Sequence, residues 1–168
     1  MIRRHAASTL TIIFCVAAAL SAQSRRVLAD LGRIDPPAYA PPLVRDRGAP
    51  VFDEAIGSYR ARQYERAANL LRRFVTQEPD DPAANFFLAA SLMMTDEVGE
   101  AEDRLGVVLA ANAPAFEMPS RFVLAKARIR VGDLQGAERQ LARVTQTNNP
   151  YARAATELLE KLRALKKR

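Results

Sequence analysis

The chain has 168 residues, 49% of them hydrophobic and 26% charged, with a formal net charge of +6; this is enough for one domain with a closed core plus its ends. The charge lies at those ends: residues 49–155 carry 13 basic and 14 acidic side chains, so the body lacks the clustered Lys and Arg of a polyanion groove and no nucleic-acid partner is expected. The single histidine (His5) and single cysteine (Cys15) both fall in the N-terminal stretch, leaving the rest without thiol nucleophiles, disulfides, imidazole bases or Cys/His zinc sites.

A carboxylate-only site stays formally open, but Glu100, Glu102 and Asp103 read as a solvated helix surface. No catalytic, metal or cofactor-binding residue is assigned. The expectation is a protein that is not an enzyme and has neither a cofactor nor a small-molecule substrate.

At the N-terminus, Arg3 and Arg4 precede residues 6–22, which carry no charge. A basic start, an apolar centre and the small residues Ala19, Ser21 and Ala22 make residues 1–24 a secretory signal peptide or an N-terminal membrane anchor. The 17 uncharged residues fall just short of the roughly 20 that a span requires. Both alternatives place the rest outside the cytoplasm, either periplasmic or secreted, or anchored in the inner membrane. Membrane contact is expected only through this segment.

Residues 25–49 read as a Pro-rich flexible linker. Five of the ten prolines (Pro36, Pro37, Pro41, Pro42 and Pro50) lie between Asp35 and Pro50, and paired prolines fix φ and remove donors. From Asp35 to Pro50 the chain should be extended and unpaired with any helix or sheet.

From residue 50 onward the chain repeats itself. Ala67, Ala101 and Ala137 stand 34 and 36 residues apart, each followed four residues later by Leu71, Leu105 and Leu141. Ala55, Ala89 and Ala125 run in step twelve residues earlier, each preceded at three by Phe52, Phe86 and Phe122. Two series moving together define a unit. Within the first, Phe52, Ala55, Ile56 and Tyr59 have i, i+3, i+4, i+7 spacing and predict an amphipathic helix; Tyr64, Ala67, Ala68, Leu71 and Phe74 predict a second. Asp81-Pro82 starts the next unit as an N-cap followed by proline, and Asn149-Pro150 repeats the device. Gly132-Asp133 reads as a C-cap glycine followed by an N-capping aspartate. The two extra residues of the longer spacing are expected in a loop over Ala113 to Met118. Beyond residue 150, Tyr151, Ala154, Ala155, Leu158, Leu159, Leu162 and Leu165 form one stripe, the pattern of a terminal capping helix.

A helix pair of this length cannot bury its apolar face alone and must stack on its neighbours. The predicted class is all-α, a short α-solenoid of stacked antiparallel helix pairs over residues 50–168. The pattern resembles the tetratricopeptide repeat. The third unit carries it best, with Leu124-Ala125, Gly132-Asp133-Leu134, Ala137, Leu141, Val144 and Pro150. The second has Val98 where an aromatic is usual, and the first has Arg62-Gln63 where Gly-Asp is usual. The resemblance implies three repeats plus the capping helix, a right-handed superhelix and a concave groove lined by the first helix of each pair.

On that implication the partner-binding groove comprises Phe52, Ile56 and Tyr59, then Phe86, Ala90 and Met93, then Phe122, Lys126 and Ile129. Their side chains would form a contiguous apolar patch for another protein or a peptide segment. The phenylalanines can equally pack into neighbouring helices. Some family members hold a C-terminal carboxylate with Lys and Asn at such positions; here Lys126 alone has the charge, with Arg60 and Arg130 at the flank, and apolar anchors fit better. The expected role is a non-catalytic interaction scaffold of the bacterial cell envelope, or else a membrane-anchored accessory subunit of a larger envelope assembly.

Overall fold

The computed structural model describes residues 23–37 and 50–166. The signal or anchor reading of residues 1–22 and the linker reading of 38–49 lie outside them. Residues 23–31 are helical (α1). Then follow α2 (Pro50–Arg60), α3 (Tyr64–Gln77), α4 (Pro82–Met94), α5 (Val98–Ala110), α6 (Pro114–Arg130), α7 (Leu134–Thr145) and α8 (Ala152–Lys166). The described residues contain no strand. Each helix of the repeat body packs on the next in sequence, giving three hairpins and a closing helix.

The alanines that set the repeat are the points of closest approach. Ala55, Ala67, Ala89, Ala101, Ala125 and Ala137 all have zero exposure, as do Leu71, Leu105 and Leu141. Interiors packed to crystal-like density leave no room for a larger side chain at such a crossing. The central first helix, α4, is buried on every side from Ala83 to Met93, as a helix flanked by two hairpins must be.

The three hairpin turns close in the same way on different sequences. Arg62, Asp96 and Gly132 occupy the left-handed region at φ 60, 66 and 83°. In each, the amide of the following residue reaches back five positions to a carbonyl, Gln63 to Ser58, Glu97 to Leu92 and Asp133 to Arg128, each at 2.9 Å. This is the bond that ends a helix on a left-handed residue. Only the third turn puts glycine there, and only it caps the following helix with a side chain, Asp133 Oδ1 accepting from the Gly136 amide at 2.8 Å. Asp81 likewise accepts from the Ala84 amide at 2.7 Å, with Pro82 at the first helical position.

The loop expected over Ala113 to Met118 is instead the start of α6. Ala113 is extended, Pro114 takes the first helical position and the helix runs for 17 residues. Proline is preorganised at that position, where its missing N–H goes unbonded in any residue. The extra residues therefore lengthen a helix rather than a loop.

The first helices touch one another, α2 against α4 and α4 against α6, whereas α3, α5 and α7 make no comparable contacts among themselves within the described residues. The layer whose members approach more closely is the inner arc of the stack. α2, α4 and α6 thus form the inner face.

Candidate functional site

Part of the stretch read as linker lies on this inner face. α1 ends where the Gly32 amide donates to the Leu28 carbonyl at 2.8 Å, and residues 33–37 continue without regular structure. Prolines at 36 and 37 stop the helix from continuing. Leu28 and Leu31 pack on the cluster formed by α6, α7 and α8, while Ile34 is 5% exposed within the core cluster that runs from α2 to α6. Two open clefts flank the segment, of about 420 Å³ beside Ile34 and Met93 and about 220 Å³ beside Leu31 and Phe122.

Side chains of the first helices hold the segment by its backbone. Arg130 Nε donates to the Gly32 carbonyl at 3.0 Å, Lys126 Nζ to the Arg33 carbonyl, and Tyr59 Oη to the Pro37 carbonyl at 2.9 Å. Arg130 is itself fixed by donating to the Met93 carbonyl at 2.7 Å and pairing with Asp96 at 3.3 Å. Residues 32–37 are thus read through carbonyls, which every residue offers, and through the fit of their side chains.

Gly32 explains how close the approach is. A Cβ there would fall 2.5 Å from Arg130 Cγ and 2.8 Å from the Lys126 carbonyl oxygen. No side chain fits between the segment and α6.

Electrostatics follow from this packing. Burial pushes the Lys126 ammonium below the usual lysine range, opposed by Asp35. Its Nζ sits 5.2 Å from the Phe122 ring centroid, within cation–π range. Burial pushes the Tyr59 hydroxyl above the usual tyrosine range, with Tyr64 and Tyr151 adding to it. A neutral, donating hydroxyl is the form that the Pro37 carbonyl requires.

The expected groove residues divide in two. Tyr59, Met93, Phe122 and Lys126 line or anchor the segment. Phe52 lies 5.4 Å from Phe74, and Phe86 lies 5.4 Å from both Phe87 and Phe116, so these rings fill the space between helices. Ile56, Ala90 and Ile129 are buried at 6, 0 and 0% exposure. Phe122, the third of the row, is half-buried against Tyr151 at 5.3 Å. Arg130 stands only at the flank of the expected groove, and Gly32 and Ile34 lie outside it. The signal was Leu28, Leu31 and a glycine stop followed by Ile34, a short amphipathic motif ahead of the prolines.

The carboxylates set aside as solvated surface are partly engaged. Glu100 accepts from Arg72 at 2.6 Å and Arg104 at 3.5 Å, and the Arg72 bond holds its carboxyl below the usual glutamate range. Glu102 lies 3.5 Å from Arg128. A carboxylate pushed down and paired is the opposite of a general acid held ready at neutral pH. The described residues contain no cluster of three or more potential metal ligands.

The tetratricopeptide-repeat family model matches residues 58–117, from the end of α2 into α6. No curated protein matches the sequence. Among solved structures, the type III secretion translocator chaperone SycD of Yersinia enterocolitica is similar over 71% of this chain and 85% of its own, at TM-score 0.66 and 18% identity. SycD in complex with a peptide of the translocator YopD aligns over 76% of this chain and all of that one, at TM-score 0.65 and 19% identity. The first repeat domain of Spaghetti (RPAP3), bound to the HSP90 peptide SRMEEVD, aligns over 70 and 91% at TM-score 0.62 and 18% identity. At such identities the likeness is one of fold.

Proposed function

We propose that this chain, which has the tetratricopeptide-repeat fold, is a non-catalytic scaffold whose inner face binds a peptide segment of another protein. The observation that carries the reading is chemical. Tyr59, Lys126 and Arg130, from α2 and α6, all donate to carbonyls of a non-repeat segment rather than to one another. A surface built this way accepts extended backbone with apolar anchors, a recurrent mode of peptide recognition. Neighbours of the same fold carry peptides of YopD and HSP90, which supports the same use here.

The setting is the bacterial cell envelope, supported by Arg3, Arg4 and the uncharged run over residues 6–22. A cleaved leader gives a periplasmic or secreted protein; a retained one gives a membrane-anchored accessory subunit of a larger assembly. N-terminal sequencing of the mature chain separates these: a start beyond Ala22 means cleavage, and Met1 or Ile2 means an anchor. Among the described residues no helix is long and apolar enough to cross a membrane.

The binding reading is tested by capturing partners from envelope fractions with the wild-type chain and with a Phe122→Ala, Lys126→Glu variant of unchanged melting temperature. Loss of the partner from the variant is expected. Equal capture by both would contradict an inner-face site.

A further inference from the structure

We propose that residues 28–37 are a ligand carried in cis: they occupy the groove, a partner must displace them, and their pattern describes the partner. The partner is a peptide with a short helical turn bearing two leucine-like residues, a glycine, and an extended tail with an isoleucine-like anchor two residues on. This rests on the reading of the inner face as a peptide site.

The segment has the features of a bound ligand rather than of a structural strap. Its anchors are spaced along the groove, with Leu28 and Leu31 on the cluster of α6, α7 and α8 and Ile34 in the cluster that runs from α2 to α6. The cations that hold it come from residues 93 and 98 positions away in sequence, Lys126 to Arg33 and Arg130 to Gly32. A steric demand falls on Gly32, where any Cβ would meet Arg130 and the Lys126 carbonyl. A competitor with a larger residue there would be excluded. The clefts on either side of the segment leave room for longer anchors beside Met93 and beside Phe122.

Tethering raises the segment's local concentration to the order of millimolar, so a segment whose own affinity for the groove is about 100 μM or tighter makes any partner bind the closed chain about tenfold or more weakly than the open one. Displacement frees two things at once, the inner face and an amphipathic peptide.

The test uses the full chain and one probe, a fluorescein-labelled synthetic peptide of residues 26–37, followed by fluorescence polarisation. Two variants open the groove by different routes, Gly32→Val by collision with α6 and Ile34→Asp by burying a charge; neither residue belongs to the repeats. Both opened chains should bind the probe about tenfold or more tightly than wild type, and a probe carrying G32V should lose that binding. If wild type binds as tightly as the opened chains, the groove takes peptides but is not gated, which overturns the cis-ligand proposal and leaves the site standing. If neither wild type nor an opened chain binds, the peptide site itself falls. A G32V probe that binds as well as the native one removes the claim about the partner's glycine.

Discussion

The outer and inner layers of the stack use the same kinds of side chain for different ends. Outside, polar groups are satisfied within the repeats: Arg72 of α3 bonds Glu97 and Glu100 at the start of α5, and Glu102 of α5 and Asp133 ahead of α7 both take Arg128, which reaches them from α6. Inside, Tyr59 and Lys126 find acceptors in a segment that is no part of the repeats, and Arg130 bonds both that segment and the end of α4. Outer pairing joins hairpin to hairpin, while inner donors face the ligand position. Pairing between hairpins and recognition therefore use different side chains, and substitutions should separate them.

The largest effect is expected in the core that both layers share. Leu105→Ala, at a fully buried position, should cost about 2–5 kcal/mol, and Ala101→Leu, at a crossing without space, about 1–3 kcal/mol. Thermal denaturation reads both, and an unchanged melt for Ala101→Leu would contradict the crossing.

Alkaline pH comes next. Tyr59 is 4% exposed and its hydroxyl is held above the usual range chiefly by burial. The unfolded chain ionises this group from about pH 10 while the folded chain keeps its proton. The unfolded state then holds fewer protons, and stability falls by about 1.4 kcal/mol per pH unit above that point for as long as the folded state stays neutral. Tyr59→Phe should lose less stability between pH 9.5 and 11 than wild type does. Identical pH profiles would show that Tyr59 is not held neutral.

Smaller still is the cap: Asp133→Ala should cost about 1 kcal/mol, seen as a shift of the denaturant midpoint. The sharpest separation is expected from a pair of arginines. Arg72→Ala removes a partly exposed outer ion pair and should cost at most about 1 kcal/mol with no change in the docking of residues 28–37. Arg130→Ala should release that segment, read by tryptic cleavage after Arg33, while the repeats still melt cooperatively. Release by Arg72→Ala and not by Arg130→Ala would invert the comparison.

What the sequence made legible follows the same division. The helix pairs could be read because small residues at crossings and leucines beneath them must recur with the unit, and Asp81-Pro82 and Gly132-Asp133 are chemical stop and start signals. The turns at Arg62 and Asp96 were harder, since a left-handed conformation imposed by packing leaves no glycine to mark it. Phe52 and Phe86 share a register with Phe122, yet their rings meet other helices, because a position's depth depends on which neighbours flank it. The docked segment was the least visible. Its polar contacts use backbone carbonyls, which have no residue signature, and its nearby prolines look like those of any spacer.

The most direct measurement of the central claim, that the inner face holds peptide backbone, is hydrogen exchange of the full chain followed by mass spectrometry. Amides of residues 28–33, bonded within α1 and its end while the segment is docked, should exchange slowly in wild type and rapidly in a Lys126→Ala, Arg130→Ala variant, with α3, α5 and α7 unchanged in both. Exchange of that segment at the unprotected rate in wild type would contradict the account.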